Sequence, residues 1–206
     1  MTPGSRAVTS RPLAALACTC AALAFAAPAM GAFEFSGVPA LPALAAVTIN
    51  GKAQTLNATM TTFGVTDTRG TKSGWNLTAQ GQSGVGKSAV FAQYCPKAKC
   101  GTASEGYVPS GRALAPGNLT LNSTGAKFLG GTGAAPTFPC SAGCSLNGAS
   151  AVKVATAATG GAGEGTWKAS GFSASSLSLA VASTMFALPS EEVYRVNVLW
   201  TLSTGP

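Results

Sequence analysis

The sequence predicts an all-β fold, on three observations. Beyond residue 46 the chain is rich in Thr, Asn, Val and aromatics with frequent glycine, which is strand composition. Several segments alternate apolar and polar residues with a period of two, the spacing of a strand with one buried face. No stretch holds apolar residues at helical spacing over three turns. Together these imply a β-sandwich or open barrel, a single domain with Gly/Ala-rich loops.

Taken in order, the expected strands are 47–50, 54–65, 74–80, 89–94, 118–122, 151–156, 175–187 and 193–203. In 74–80, Trp75 and Leu77 face one way and Asn76 and Thr78 the other. In 175–187, Leu177, Leu179 and Val181 oppose Ser176, Ser178 and Ala180. The last strand is the clearest. Tyr194, Val196, Val198, Trp200 and Leu202 share one face, against Arg195, Asn197, Thr201 and Ser203, with Leu199 as the exception. Between the strands, 101–117, 130–149 and 158–171 are rich in Gly, Ala, Ser and Pro and read as loops.

Residues 1–32 read as a secretory signal peptide. Arg6 and Arg11 precede an apolar run from Leu13 to Ala27, and small residues close it at Ala29, Gly31 and Ala32. The run is short for a membrane span, which takes about 20 residues, and no later segment resembles one. The mature chain therefore begins near Phe33 and is secreted. Residues 33–46 form a Pro/Ala-rich lead-in, extended at 38–46 because Pro39 and Pro42 interrupt any helix. The β domain occupies 47–206. Its four cysteines, Cys95, Cys100, Cys140 and Cys144, read as two disulfides in an exported protein. Three pairings are open, two local loops being the simplest, and a four-thiolate zinc site is the rival.

Composition leans against catalysis. Only 9% of residues are charged, there is no histidine, and Asp67 is the sole aspartate among six acids. Without imidazole, a Ser-His-Asp or Cys-His nucleophile cannot be assembled. No cofactor is expected. Residues 81–88, Gly-Gln-Ser-Gly-Val-Gly-Lys-Ser, satisfy the phosphate-binding loop pattern. A helix after Ser88 would meet Tyr94-Cys95-Pro96 almost at once, and no aspartate follows to hold magnesium, so a hairpin loop is the better reading. Four Asn-x-Ser/Thr sequons, at Asn57, Asn76, Asn118 and Asn122, carry no weight in a chain so rich in these residues. The net charge of +7 is dispersed, without the basic and aromatic clustering of nucleic-acid readers. It suits weak attraction to anionic polymers.

Two tryptophans open the same tripeptide: Trp75-Asn76-Leu77 and Trp200-Thr201-Leu202. The first follows Asp67-Thr-Arg69-Gly70 and Gly74; the second follows Tyr194 and runs to Pro206. This combination resembles the WxL domain family of Gram-positive cell-surface proteins, in the motif order Asp-x-Arg-Gly turn, Gly-Trp-x-Leu strand, terminal Tyr-containing Trp-x-Leu strand. The resemblance implies a non-enzymatic protein attached non-covalently to the cell wall, with peptidoglycan as ligand. The cysteines and the Gly/Ala-rich middle lie outside the pattern, and the Ala-rich leader suggests a high-GC actinobacterial source. No Leu-Pro-x-Thr-Gly signal occurs, since Leu188-Pro189 continues with Ser190-Glu191-Glu192, so sortase anchoring is not expected. The alternative is an extracellular structural or adhesin-like subunit that binds a partner protein.

Two roles for the motif residues remain open in the sequence. Trp75 and Trp200 sit on the apolar side of alternating strands, so both are expected in the core, pairing across one sheet. Exposed, they would instead form a platform for sugar rings. Asp67, Arg69 and Gly70 read as a turn, with an Asp67–Arg69 ligand site as the alternative.

Overall fold

The computed structural model describes residues 31–96, 100, 104–189 and 191–206. The leader expected at 1–32 lies outside them apart from Gly31 and Ala32.

The described chain is built of antiparallel sheets packed together, none closed into a barrel. One sheet contains β1 (Phe33–Gly37), β3 (Phe63–Asp67), β11 (Glu164–Ser170) and β8 (Lys127–Thr132), in that spatial order. A second runs β10 (Val152–Ala157), β4 (Trp75–Gly81), β14 (Val198–Thr204). The third is β2 (Gln54–Ala58), β12 (Leu177–Val181), β7 (Leu119–Leu121), β9 (Cys144–Ser145), and the smallest is β13 (Val193–Arg195), β5 (Ala92–Cys95), β6 (Gly106–Tyr107). The sole helical element among the described residues is a 3₁₀ turn at Pro139–Ala142.

The core follows from the alternation. In β4 every second residue, from Trp75 through Leu77 and Ala79, is buried. In β12 Leu177, Leu179 and Val181 are buried, and in β7 Leu119 and Leu121. An aromatic cluster joins Trp75 of β4 to Phe63 of β3 and Phe128 of β8. Phe128 stacks on Phe138 at 4.5 Å and meets the edge of Trp75 at 5.9 Å, while Phe63 lies 6.0 Å from Phe128. Such offset and edge-on contacts each add about 1 kcal/mol beyond area burial.

Several expected strands differ from those observed. Residues 47–50 form no strand. The stretch 54–65 breaks into β2 and β3, which belong to different sheets, because the chain crosses the core between them. Met60 is buried at the crossing, and its N–H donates to Ser176 Oγ at 2.9 Å. The strand expected at 89–94 is confined to Ala92–Cys95, and the one at 175–187 ends at Val181, where Met185 N–H closes a turn onto the Ala182 carbonyl. The terminal segment is two strands, not one. Asn197 separates them: its N–H donates to the Ser88 carbonyl, its carbonyl accepts from Gln82 N–H, and its Oδ1 accepts from Tyr107 Oη at 2.6 Å.

Conversely, β1, β6, β8, β9 and β11 lie in segments not read as strands. The lead-in at 33–46 opens with β1, which pairs antiparallel with β3 and rests Phe33 and Phe35 on the core. Residues 38–46 carry neither strand nor helix, as expected of an extended arm. The glycines of β8 and β11 are part of the packing. Gly131 has φ +57°, and a Cβ there would lie 2.1 Å from Cε2 of Trp167. The missing side chain lets the indole of β11 lie against β8.

Candidate functional site

The motif residues begin at the end of β3. Asp67 is 4% exposed and accepts two hydrogen bonds from one guanidinium: Arg69 Nε to Oδ1 and Nη2 to Oδ2, both at 2.8 Å. Arg69 N–H also donates to Oδ1 at 3.2 Å, so the carboxylate caps its own turn. The guanidinium lies 3.7 Å above the Phe33 ring centroid and reaches the Gly74 carbonyl. The charge-assisted hydrogen bonds from Arg69 hold the Asp67 carboxyl below its ordinary value and raise Arg69 above its own. The polar atoms of the pair are engaged with each other, with their own turn and with the Gly74 carbonyl, which argues for a turn over a ligand site. Gly70 turns the chain with φ +67°. Gly74, at φ +69°, passes so close to the Ala157 carbonyl that a Cβ would sit 2.3 Å from it.

From there the chain enters β4, the middle strand of its sheet. Trp75 is 0% exposed, and its Nε1 donates to the Gly163 carbonyl at 3.2 Å. β14 runs antiparallel beside it, placing Leu202 opposite Leu77, Trp200 opposite Ala79 and Thr204 opposite Trp75. The two Trp-x-Leu tripeptides therefore occupy neighbouring strands of one sheet, with the indoles offset along it. Asn76 clamps the join: its Nδ2 donates to the Gly205 carbonyl at 2.6 Å, and its Oδ1 accepts from Thr156 Oγ1 at 2.9 Å.

The tryptophans differ in burial. Trp75 is a core residue, as expected, and cannot stack on a ligand. Trp200 is half-buried, because β14 is an edge strand and nothing flanks its far side among the described residues; its expected place inside the core is corrected. Leu202 is likewise partly buried. Tyr194 stands apart on β13. Its Oη donates to the Phe186 carbonyl at 3.0 Å, and burial pushes that hydroxyl above its ordinary range. Cys95 is bonded to Cys100 and Cys140 to Cys144, with Cα separations of 5.8 and 5.2 Å, which assigns all four sulfurs to disulfides.

Two features escaped the sequence. The first is Trp167, buried on β11, its Nε1 donating to the Glu164 carbonyl at 2.8 Å. Its alternation with Lys168 and Ala169 was masked by the surrounding glycines. The second is a groove of about 1050 Å³ between the arm at 41–49 and β12, lined by Leu44, Leu56, Leu179, Met185 and Tyr194. At its rim Phe186 is exposed, with the Arg112 guanidinium 3.9 Å from its ring centroid. No spacing signal marks this pair.

At 81–88, β4 ends at Gly81 and a tight hairpin turn follows, bridged between Gly84 and Lys87, with Val85 fully exposed at its tip. No helix receives a phosphate, so the hairpin reading holds. Among the described residues no group of three or more His, Cys, Asp or Glu side chains could hold a metal ion, and no helix is long and apolar enough to cross a membrane.

Packed antiparallel sheets, two local disulfides and a motif pair knitted through neighbouring strands define a non-barrel, all-β domain with its tryptophan signature built into the sheet. Residues 39–206 match the family described as WxL domain surface cell wall-binding, and the chain belongs to that family. Its domain is a cell wall-binding surface domain. No curated protein and no solved structure matches the chain.

Proposed function

We propose that this is a secreted, non-enzymatic surface protein held non-covalently on the cell wall, with peptidoglycan as its principal ligand. The family match carries this reading, because it spans nearly all of the described β domain and includes both Trp-x-Leu strands. The lack of histidine and the engagement of Asp67 by Arg69 support a binding role over a catalytic one. Trp75 being buried, sugar contact falls to exposed groups. Phe186 beneath Arg112 offers an aromatic face next to a cation, a suitable pairing for a glycan bearing carboxylate or phosphate.

Sedimentation with purified walls, before and after removal of their anionic polymers, tests this. Retention on stripped walls supports peptidoglycan binding, and Phe186→Ala should weaken it without lowering the thermal midpoint. Retention only on unstripped walls, lost in high salt, would replace peptidoglycan by an anionic polymer. No retention on either would sink wall attachment. The second reading, a structural or adhesin-like subunit binding another surface protein, is favoured by one observation: the outer edge of β14 is unpaired among the described residues.

A further inference from the structure

We propose that the outer edge of β14 pairs antiparallel with the same edge of a second copy of this chain, joining two three-stranded sheets into one across a two-fold axis. Exposed strand edges invite pairing, and folded proteins blunt them with charges, bulges, shortness or cover. The other edges here carry such devices. β1 has Glu34 and a register shift between Phe35 and Gly37. β8 has Lys127 and a shift opposite Glu164 and Trp167, and β10 has Lys153 with a shift beside it. β13, which carries Arg195, is three residues long; β6 and β9 have two each. β2 borders the same groove as the arm, and Gln54 Nε2 donates to the Thr48 carbonyl there at 2.9 Å.

Among the described residues β14 has none of these. Its seven residues include no charge and no proline, and its register against β4 is unbroken from Val198 opposite Gly81 to Thr204 opposite Trp75. Leu199 is 36% exposed on its outer face. Trp200 and Leu202, on the inner face, are only partly covered.

The hydrogen-bond phase of the strand makes this edge self-complementary. The ladder is bracketed by Gln82 N–H to the Asn197 carbonyl at 2.8 Å and Gly205 N–H to the Gly74 carbonyl at 3.1 Å, both in the register of the β4 pairing. In an antiparallel ladder the residues facing the partner strand alternate. Leu199, Thr201 and Ser203 therefore point their backbone groups at β4, and Val198, Trp200, Leu202 and Thr204 point theirs outward. A two-fold axis at Thr201 sets Val198 against Thr204 and Trp200 against Leu202 of the second copy, so each outward N–H and carbonyl meets another. Trp200 is then covered by Leu202 of the second copy. On the outer face Thr201 meets its own counterpart and Leu199 meets Ser203, with no like charges opposed. The positive charge of each copy lies elsewhere, so salt should tighten this dimer, where an ionic contact would loosen.

The test is sedimentation equilibrium of the purified protein over a range of concentrations in low and high salt, with amide exchange in parallel. A monomer–dimer equilibrium favoured by salt is expected. On dimerisation, protection should appear at the amides of Val198, Trp200, Leu202 and Thr204, while those of Leu199, Thr201 and Ser203 are protected already in the monomer. Thr201→Lys, an exposed position, sets two ammonium groups on the axis and should abolish the dimer while keeping the thermal midpoint; mixing it with Thr201→Glu should restore a mixed dimer. A protein monomeric at all concentrations, a dimer indifferent to Thr201→Lys, or concentration-dependent protection confined to other strands would overturn the proposal.

Discussion

Asn76 and Gly205, separated by most of the β domain in sequence, are joined by a 2.6 Å hydrogen bond from the Asn76 amide to the Gly205 carbonyl. The middle residue of the first Trp-x-Leu tripeptide thereby fastens the strand that carries the second. The same side chain accepts from Thr156 on β10, so one residue spans all three strands of the sheet. Asn76→Ala should cost about 1–2 kcal/mol, the usual worth of losing partly buried hydrogen bonds. It should also speed amide exchange at Gly205 ahead of global unfolding. Chemical denaturation and site-resolved exchange check the two effects, and exchange unchanged at Gly205 would remove the clamp.

Trp75 and Trp200 share a motif but not an environment. Trp75→Ala empties a fully buried site and should cost roughly 3–5 kcal/mol. Trp200→Ala removes a half-buried ring at a sheet edge and should cost about 1–2 kcal/mol. Denaturant midpoints at equal slope compare them directly; equal losses would contradict the burial difference.

This contrast marks how far the sequence could be read. Alternation located β4, β12 and β14, because each buries one face and wets the other. It could not say that β14 lies at an edge, since a half-covered and a fully covered Trp200 give the same pattern along the chain. The break between β13 and β14 was equally hidden. Asn197 ends one strand through bonds to Ser88 and Gln82, partners far away in sequence. β8 and β11 were missed for a different reason. Their glycines signal turns locally, yet Gly131 is there because Trp167 needs the space. The Asp67–Arg69–Gly70 turn was legible because its chemistry is local.

Gly131→Ala follows from that last point. The backbone is at positive φ, and the new methyl would collide with the Trp167 indole. The substitution should destabilise by roughly 2–3 kcal/mol through strain and displaced packing. Tryptophan fluorescence should shift to the red as the indole is pushed toward water. A protein with unaltered emission and stability would show the ring free to move aside.

The Asp67–Arg69 pair makes a pH prediction. The folded-state carboxyl lies below the ordinary value of 3.8, so the folded protein binds this proton less readily than the unfolded chain. Its stabilisation is full above the unfolded value and is lost as pH falls through the folded one. Thermal midpoints should decline on acidification below about pH 4, and Asp67→Asn should start lower at neutral pH and decline less. Parallel acid limbs for the two proteins would remove Asp67 from the account.

The central claim is that the Trp-x-Leu signature serves wall attachment by holding the domain together, not by touching the wall. Its most direct test is wall retention per folded molecule across a Trp75 series, Trp75→Phe, Trp75→Leu and Trp75→Ala, with the folded fraction of each measured by circular dichroism under the binding conditions. The account predicts that total retention falls along the series only as the folded fraction falls, so the ratio stays constant. A Trp75→Phe protein that is fully folded yet no longer sediments with walls would contradict it.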